Sequence, residues 1–373
     1  MTSFFESKKA AAVLKHAVLD AYIEPFAMKT GSTSAGGRVA FIDGYAGEGR
    51  YADGSDGSPA LVLAKAKKIA RQRQLECFFV EDDMRNYEQL ASLVDSEGDN
   101  CVVCILFGDV EQHLQGLITR TRGIPLLVFL DPFGLMLPMD RVLEIFSRPG
   151  GLGSPATEVL INFSAVALRR IAGHLASQTP SRGTLAQMDA VCGGDWWRET
   201  WSSHMPDSTA AEAAVVQGYA RRLKTAAKSG CWTADIRNKA GHKPVYYLVF
   251  LSRHPHGLVL FGDALSRGTE KWRRAAVAPM DMRDGLFDPE VLFQESEDAL
   301  ASQWVDAITE NLRSLLAGGK AFKPVDKYSE VYGDTAGLAR EKHLRAAWKR
   351  LHEEGVTPTD SKGPLLRKWI HPA

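Results

Sequence analysis

The feature that most constrains the fold is an alternation of apolar and amphipathic segments between residues 38 and 164. Segments of helical periodicity separate the five apolar ones, which read RVAFID, LECFFVED, CVVCILFGD, IPLLVFLDPFG and TEVLINFS. Short strands that alternate with helices in this way predict a mainly parallel sheet covered by helices on both faces, an α/β fold. Two later segments, CWTADIRNK and VYYLVFLSR, flank AGHKP and predict an antiparallel strand pair that closes the sheet.

The rest of the chain is predicted to be mainly helical. A first domain is expected over 1–268, with a helical insertion at about 165–228, and a helical connector is expected over 269–319. The tail, 320–373, carries 11 Lys and Arg against 7 Asp and Glu, and its amphipathic helix is followed by the basic segment GPLLRKWI. A helix and then a basic strand predict a winged-helix-like subdomain that touches nucleic acid or a partner. The alternative is a packing subdomain with a solvated basic face.

The composition excludes several classes of protein. Lys+Arg and Asp+Glu both number 45, which excludes a globally basic nucleic-acid-binding protein but leaves room for a local basic patch. No apolar run approaches the roughly 18–20 residues of a membrane span, so no membrane association is expected. Five cysteines are few for 373 residues, so the expected location is the reducing cytoplasm. Cys101 and Cys104 form a lone CxxC on a predicted strand, where their side chains point to opposite faces, so no metal site is predicted.

Four successive predicted strands each end at an acidic residue. In an open parallel sheet, ligands bind outside the carboxyl ends of the strands, and packing alone does not require acids there. Together with the neighbouring glycines, these acids are the candidate site residues Asp43, Gly47, Gly49, Glu81, Gly108, Asp109 and Asp131.

The first of these strand ends, FIDGYAGEGRY, restricts the kind of ligand. A nicotinamide-binding loop would read G-x-G-x-x-G and would hold a pyrophosphate at a helix N-terminus. Here Asp43 precedes the glycines and would repel a phosphate, so a nicotinamide-dependent dehydrogenase is the weaker alternative. The acid suits a cationic ligand without phosphate, such as S-adenosylmethionine (SAM). Glu81 would accept hydrogen bonds from its ribose hydroxyls, and Asp109 would accept one from its adenine amino group.

The fourth strand end, LDPFG, is the predicted reaction site. Asp131 can accept a hydrogen bond from a substrate NH₂ group and so orient the nitrogen for attack on a methyl group. Phe133 is placed to stack on a base. The alternative is a loop-forming DPxG turn in which Phe133 belongs to the core.

Taken in order, several motifs resemble known methyltransferases. AVLKHAVL, FIDGYAGEGRY, GSPALVL, FVED, FGDV and LVFLDPFG resemble the motifs of the J-type bacterial 23S rRNA adenine-N6 methyltransferases, over about 11–163. The later segments KPVYYLVFLSRHPHGLVLFGDAL and LRAAWKRLHEEG resemble the three-Cys-motif partner proteins (TcmP), a likeness that extends over most of the chain. Both resemblances imply a Rossmann-like class I methyltransferase fold with SAM as cofactor.

The rRNA enzymes imply further site residues. By resemblance, His16 lies over the cofactor pocket with Lys15 beside it, and Ser58 of the GSP turn faces SAM. Tyr45 stands where that family has a histidine. DPFG replaces the family's DPPY, so Phe133 occupies the position of the second proline and a glycine that of the aromatic residue.

These observations lead to two functional hypotheses. The first is a SAM-dependent methyltransferase that acts on an amine nitrogen, with a nucleic-acid base (RNA or DNA) as the expected substrate. The second, motivated by DPFG and by the TcmP resemblance, is a partner subunit with a methyltransferase fold. Such a subunit would bind a cysteine-motif protein or nucleic acid without independent catalysis.

Overall fold

The computed structural model describes residues 2–132, 134, 136–148, 155–239, 241–277 and 289–373, without the side chains of 2–12, 275–277 and 289. Its centre is a seven-stranded sheet with the strand order β3-β2-β1-β4-β5-β7-β6. The strands are β1 Arg38–Asp43, β2 Gln74–Glu81, β3 Val102–Phe107, β4 Leu126–Leu130, β5 Thr157–Ser164, β6 Gly230–Ile236 and β7 Tyr246–Ser252.

The sheet is parallel from β1 to β5 and antiparallel at β7. Strand β1 pairs with both β2 and β4, and β7 lies between β5 and β6, antiparallel to each. Strands β4 and β7 are buried along their whole length because helices cover both faces of the sheet. This is the Rossmann-like, mainly parallel α/β sheet that the sequence predicts, including the closing antiparallel pair.

Thirteen α-helices lie in the described part of the chain. They are α1 Thr2–Thr30, α2 Ser58–Ile69, α3 Met84–Glu97, α4 Val110–Arg120, α5 Met139–Phe146, α6 Ala165–Ala172, α7 Arg182–Cys192, α8 Trp196–His204, α9 Ser208–Ala227, α10 Pro255–Val277, α11 Pro289–Ala317, α12 Tyr328–Tyr332 and α13 Glu341–Glu353. Helix α1 continues through Pro25 to Thr30, and α2 has Gly57 as its N-cap, so Ser58 is its first helical residue and not the cap.

The chain divides into two compact units. The first comprises residues 1–11 and 23–254, and the second comprises 12–22 and 255–373. In the first unit, α9 buries Val215, Tyr219 and Leu223 in the same apolar cluster as the strands of the sheet. The helical segment between β5 and β6 is therefore packed into the core of this unit.

The second unit has a separate apolar core. It is built from α11, α12, α13 and the C-terminal segment, and Trp348 and Ile308 lie at its fully buried centre. In place of the predicted strand over GPLLRKWI, the structure has a 3-10 turn, Leu365–Arg367, and a single bridge between Phe322 and Ile370. None of the helices in the described ranges is both long enough and apolar enough to cross a membrane.

Candidate functional site

The loops that follow β1 and β3 are bonded through their backbone amides to the carboxyl ends of the neighbouring strands β4 and β2. The amide of Gly44 donates to Phe129 O (3.0 Å), and the amide of Ala46 donates to Val80 O (2.9 Å). The amide of Gly108 donates to Glu81 O (2.9 Å). The strand ends picked out in the sequence are therefore adjacent in space and held together by the main chain.

Asp43 is the fully buried acid at the end of β1. Its Oδ1 accepts a hydrogen bond from the amide of Tyr45 at 3.1 Å, which closes the turn out of the strand. One carboxylate oxygen therefore shapes the loop that the sequence assigns to ligand binding.

Glu81, at the end of β2, connects the glycine loop to the start of α3. Its Oε2 accepts from the amide of Gly47 at 2.6 Å, and its Oε1 accepts from the amide of Asp83 (3.0 Å) and from Asn86 Nδ2 (3.3 Å). An ionised carboxylate offers about four acceptor positions, so these three bonds leave room for about one more donor. Glu81 fixes the loop and retains capacity for a ligand hydroxyl.

The loop needs glycine at two positions, for different reasons. Gly47 has φ 66° and Gly49 has φ 79°, both in the left-handed region that favours glycine. A Cβ atom on Gly47 would meet no atom within 4 Å, whereas one on Gly49 would lie 2.5 Å from Leu93 Cδ2 of α3. Gly49 is therefore restricted by both conformation and space, and Gly47 by conformation alone.

Substitution of these glycines is expected to separate the two effects. Gly47→Ala should cost about 1 kcal/mol of unfolding free energy from backbone strain. Gly49→Ala should cost about 2 kcal/mol, because α3 must also move. Guanidinium unfolding followed by circular dichroism measures both values. Equal losses in the two variants would contradict the packing argument.

Tyr45 is a half-buried phenol between the loop after β1 and the segment after β4, and its side chain forms a hydrogen bond with the backbone of Leu137. Burial raises the pKa of Tyr45 far above its ordinary value, and the nearby carboxylate of Asp109 raises that pKa further. The side chain is therefore a neutral phenol at physiological pH.

Gly108 and Asp109 make the turn from β3 into α4. Gly108 has φ 124°, and Asp109 is an exposed N-cap whose Oδ1 accepts from the amide of Glu111 at 2.7 Å. Ser58 is buried in the first turn of α2. Contacts of Asp109 with adenine and of Ser58 with SAM stay predictions.

Asp131 follows β4 and is half-buried. Because Leu130 pairs with Ile161 in the parallel register, Asp131 lies beside Asn162 of β5. Asn162 Nδ2 donates a hydrogen bond to Asp131 Oδ1. Phe133, the predicted stacking residue, lies outside the described residues.

Asn162 was not among the residues identified from sequence. The sequence feature that could have identified Asn162 is a single amide side chain near the end of the apolar run TEVLINFS. In the structure, this strand is buried from Thr157 to Phe163. A polar side chain in such a strand needs a partner, because burial of an amide without hydrogen bonds is costly.

A buried ion pair lies near the same edge and also escaped the sequence analysis. Glu212 of α9 is fully buried and pairs with Arg169 of α6, which also donates to Pro244 O at 3.0 Å. Tyr247 of β7 forms a hydrogen bond with Glu212. Burial raises the pKa of Glu212, and the nearby Arg169 acts against that rise. The pair connects α6, α9 and the segment that enters β7.

Lys15 and His16 lie on α1, in the part of the helix that groups with the second compact unit. Their predicted position over the cofactor pocket stays a prediction. Within the described ranges, no group of three His, Cys, Asp or Glu side chains is arranged to hold a metal ion.

Comparisons with known proteins show distant structural similarity only. No protein-family model matches the chain, and no curated protein matches it. A candidate O-methyltransferase from Klebsiella pneumoniae has a TM-score of 0.31 and 11% identity, over 65% of this chain and 89% of that one. The DszA carbon methyltransferase has a TM-score of 0.28 and 13% identity, over 58% of this chain and 47% of that one. The cyclopropane synthase MmaA2 from Mycobacterium tuberculosis has a TM-score of 0.27 and 10% identity, over 74% of this chain and 75% of that one.

Proposed function

We propose that the chain is a SAM-dependent methyltransferase that transfers a methyl group to an amine nitrogen, with a base of RNA or DNA as the acceptor. The observation that carries the proposal is the link between Glu81 and the amide of Gly47, at 2.6 Å. It holds a glycine loop against an acid at the neighbouring strand end. A loop that binds phosphate would instead leave its amides available to the anion.

The residues of this edge fit SAM as the cofactor. Asp43, Glu81 and Asp109 place negative charge where a phosphate would be repelled and a cation would be attracted. Gly47, with open space around its Cα atom, allows close approach of a ligand to the main chain. Glu81 retains about one acceptor position for a ribose hydroxyl. When bound, SAM supplies a methyl group activated by its sulfonium.

Three side chains of this chain have proposed roles in the reaction. Asp131 accepts a hydrogen bond from the acceptor amine and stabilises the positive charge that develops on the nitrogen. Asn162 fixes the carboxylate of Asp131 through its hydrogen bond. Tyr45 stays protonated and supports the loop through its bond to the backbone of Leu137.

The binding partners also belong to the proposal. The TcmP resemblance supports a cysteine-motif protein as partner, and the basic composition of 320–373 supports contact of that segment with nucleic acid. The second candidate function, a non-catalytic partner subunit, rests on the replacement of DPPY by DPFG. Pull-down from the native host with and without 320–373 tests these contacts.

Calorimetry tests the cofactor assignment. Glu81→Gln is expected to weaken SAM binding by about 30-fold, near 2 kcal/mol, because an amide replaces a charged acceptor that also fixes Gly47. Glu88→Gln removes the same charge from the exposed face of α3 and should leave the Kd unchanged. Absence of SAM binding by the wild-type chain would overturn the assignment.

Transfer itself is tested by labelling host RNA, DNA and protein fractions with tritiated SAM and the purified chain. Label is expected in a nucleic-acid fraction. If SAM binds and no fraction is labelled, the partner-subunit function is favoured instead.

A further inference from the structure

The amide of Asn162 has one buried atom that its known contacts do not use. The residue is 8% exposed, and its Nδ2 donates a hydrogen bond to Asp131 Oδ1. Its Oδ1 is buried and accepts no hydrogen bond from any residue that the structure describes. A buried carbonyl oxygen without a donor is unfavourable, so its retention beside a reactive carboxylate calls for a ligand that donates to it.

The orientation of the amide follows from its neighbour. With the opposite orientation, Oδ1 would face the carboxylate of Asp131, and two acceptors would repel each other. Because Nδ2 and Oδ1 share one carbon atom, the free Oδ1 lies within about 5 Å of the Asp131 oxygen that Nδ2 contacts. Two acceptors, one charged and one neutral, are therefore close together at the ends of β4 and β5.

We propose that Asp131 and Asn162 form a two-acceptor site that binds both hydrogens of a primary amino group and restricts the product to one methyl group. This inference rests on the proposed methyltransferase function and names the acceptor within it. A hydroxyl has a single hydrogen to donate and a ring nitrogen has at most one. Only an NH₂ group satisfies both acceptors.

The chemistry of transfer explains the limit to one methyl group. The nitrogen lone pair forms the new N–C bond while the C–S bond breaks, and the sulfur keeps the bonding pair. One N–H proton leaves the nitrogen, with Asp131 placed to accept it. The product retains a single N–H, so in a second round one of the two acceptors would be left without a donor and would face a methyl group.

Product analysis is the direct test. Labelled nucleic acid is digested to nucleosides, and the wild-type chain is expected to yield only a singly methylated exocyclic amine. Label on a ribose oxygen, a ring carbon or a ring nitrogen, or a dimethylated amine, would overturn the inference. Failure of the wild-type chain to transfer at all would overturn the proposed function together with it. A wrong product would overturn the inference alone.

Two variants of Asn162 separate positioning from packing. Asn162→Leu keeps the branched shape of the side chain but removes both polar atoms. We expect kcat/KM to fall about 10- to 100-fold, dimethylated product to appear and the Kd for SAM to stay unchanged. Asn162→Asp keeps the size and places two carboxylates in contact, which cannot both ionise easily, so the acid limb of the pH–rate profile should move to higher pH. Unchanged product and pH profile in variants that unfold at the wild-type temperature would show that Asn162 only packs.

Discussion

Replacing Asp131 by alanine is expected to lower kcat for methyl transfer by about 10³-fold. The carboxylate is half-buried and held by Asn162, so in the proposed reaction it would meet the developing charge on the amine without reorganisation. Asp131→Asn keeps the shape of the side chain without its charge and should lose about 10²-fold. Single-turnover transfer from tritiated SAM measures both rates.

The same experiment needs a control for general loss of negative charge. Asp140→Ala removes an exposed acid from the first turn of α5 and should leave kcat within about twofold of wild type, as expected for an exposed surface position. The Kd for SAM should be unchanged in all three variants, because the proposed role of Asp131 is with the acceptor. Transfer at wild-type rate by Asp131→Ala would exclude it as the catalytic carboxylate.

The second large expected effect is on how the stability of the second compact unit depends on pH. Burial raises the pKa of Asp263 on α10 to about 6, although the nearby Arg267 acts to lower it. Burial lowers the pKa of His343 on α13 to about 4, and the neighbouring cations Lys342 and Arg340 lower it further. Burial thus favours the neutral form of both side chains, which raises the pKa of the acid and lowers the pKa of the base.

These two titrations act on stability in opposite directions. As pH falls from 6.5 to about 4, His343 takes up a proton in the unfolded chain but not in the folded one, which costs up to about 3 kcal/mol of stability. Over about pH 6 to 3.8, Asp263 takes up a proton first in the folded chain, which adds up to about 3 kcal/mol. The contributions of these two groups are therefore expected to cancel almost completely in this range.

Single substitutions should separate the opposite pH dependences of stability that the two groups contribute. His343→Gln is expected to make the second unit more stable at pH 4.5 than at pH 7, whereas Asp263→Asn should make it less stable. Hydrogen exchange of α13 peptides in the full chain, corrected for the intrinsic pH dependence of exchange, reports on this unit. Slopes of the same sign in the two variants would contradict the opposed titrations.

The strands were predictable from sequence because burial on both faces leaves a continuous apolar run that needs no tertiary information, and the terminal acids stand out at the ends of these runs. The bond between Gly47 and Glu81 was not predictable, because it depends on β1 and β2 being neighbours and on the φ value of a single glycine. Asn162 escaped for a related reason, since its partner Asp131 belongs to a different strand. Contacts across the sheet depend on strand order, which the local pattern does not encode.

Some local sequence patterns are compatible with two different structures. Ser58 and Gly57 both suit a helix N-cap, and the structure uses the glycine. The segment GPLLRKWI has apolar and basic residues in an order that suits a strand, yet it forms a 3-10 turn with Leu365 buried in the second core. The composition of these segments does not distinguish the two outcomes.

The position of β7 between β5 and β6 has a consequence during protein synthesis. Ser252 of β7 donates a hydrogen bond to Glu158 of β5, a residue 94 positions earlier in the chain. At about 5–20 residues per second, a ribosome needs roughly 5–20 s to make that stretch. Throughout this interval β5 has an unpaired, apolar edge in the nascent chain. That edge is the kind of surface that chaperones bind and that aggregation requires.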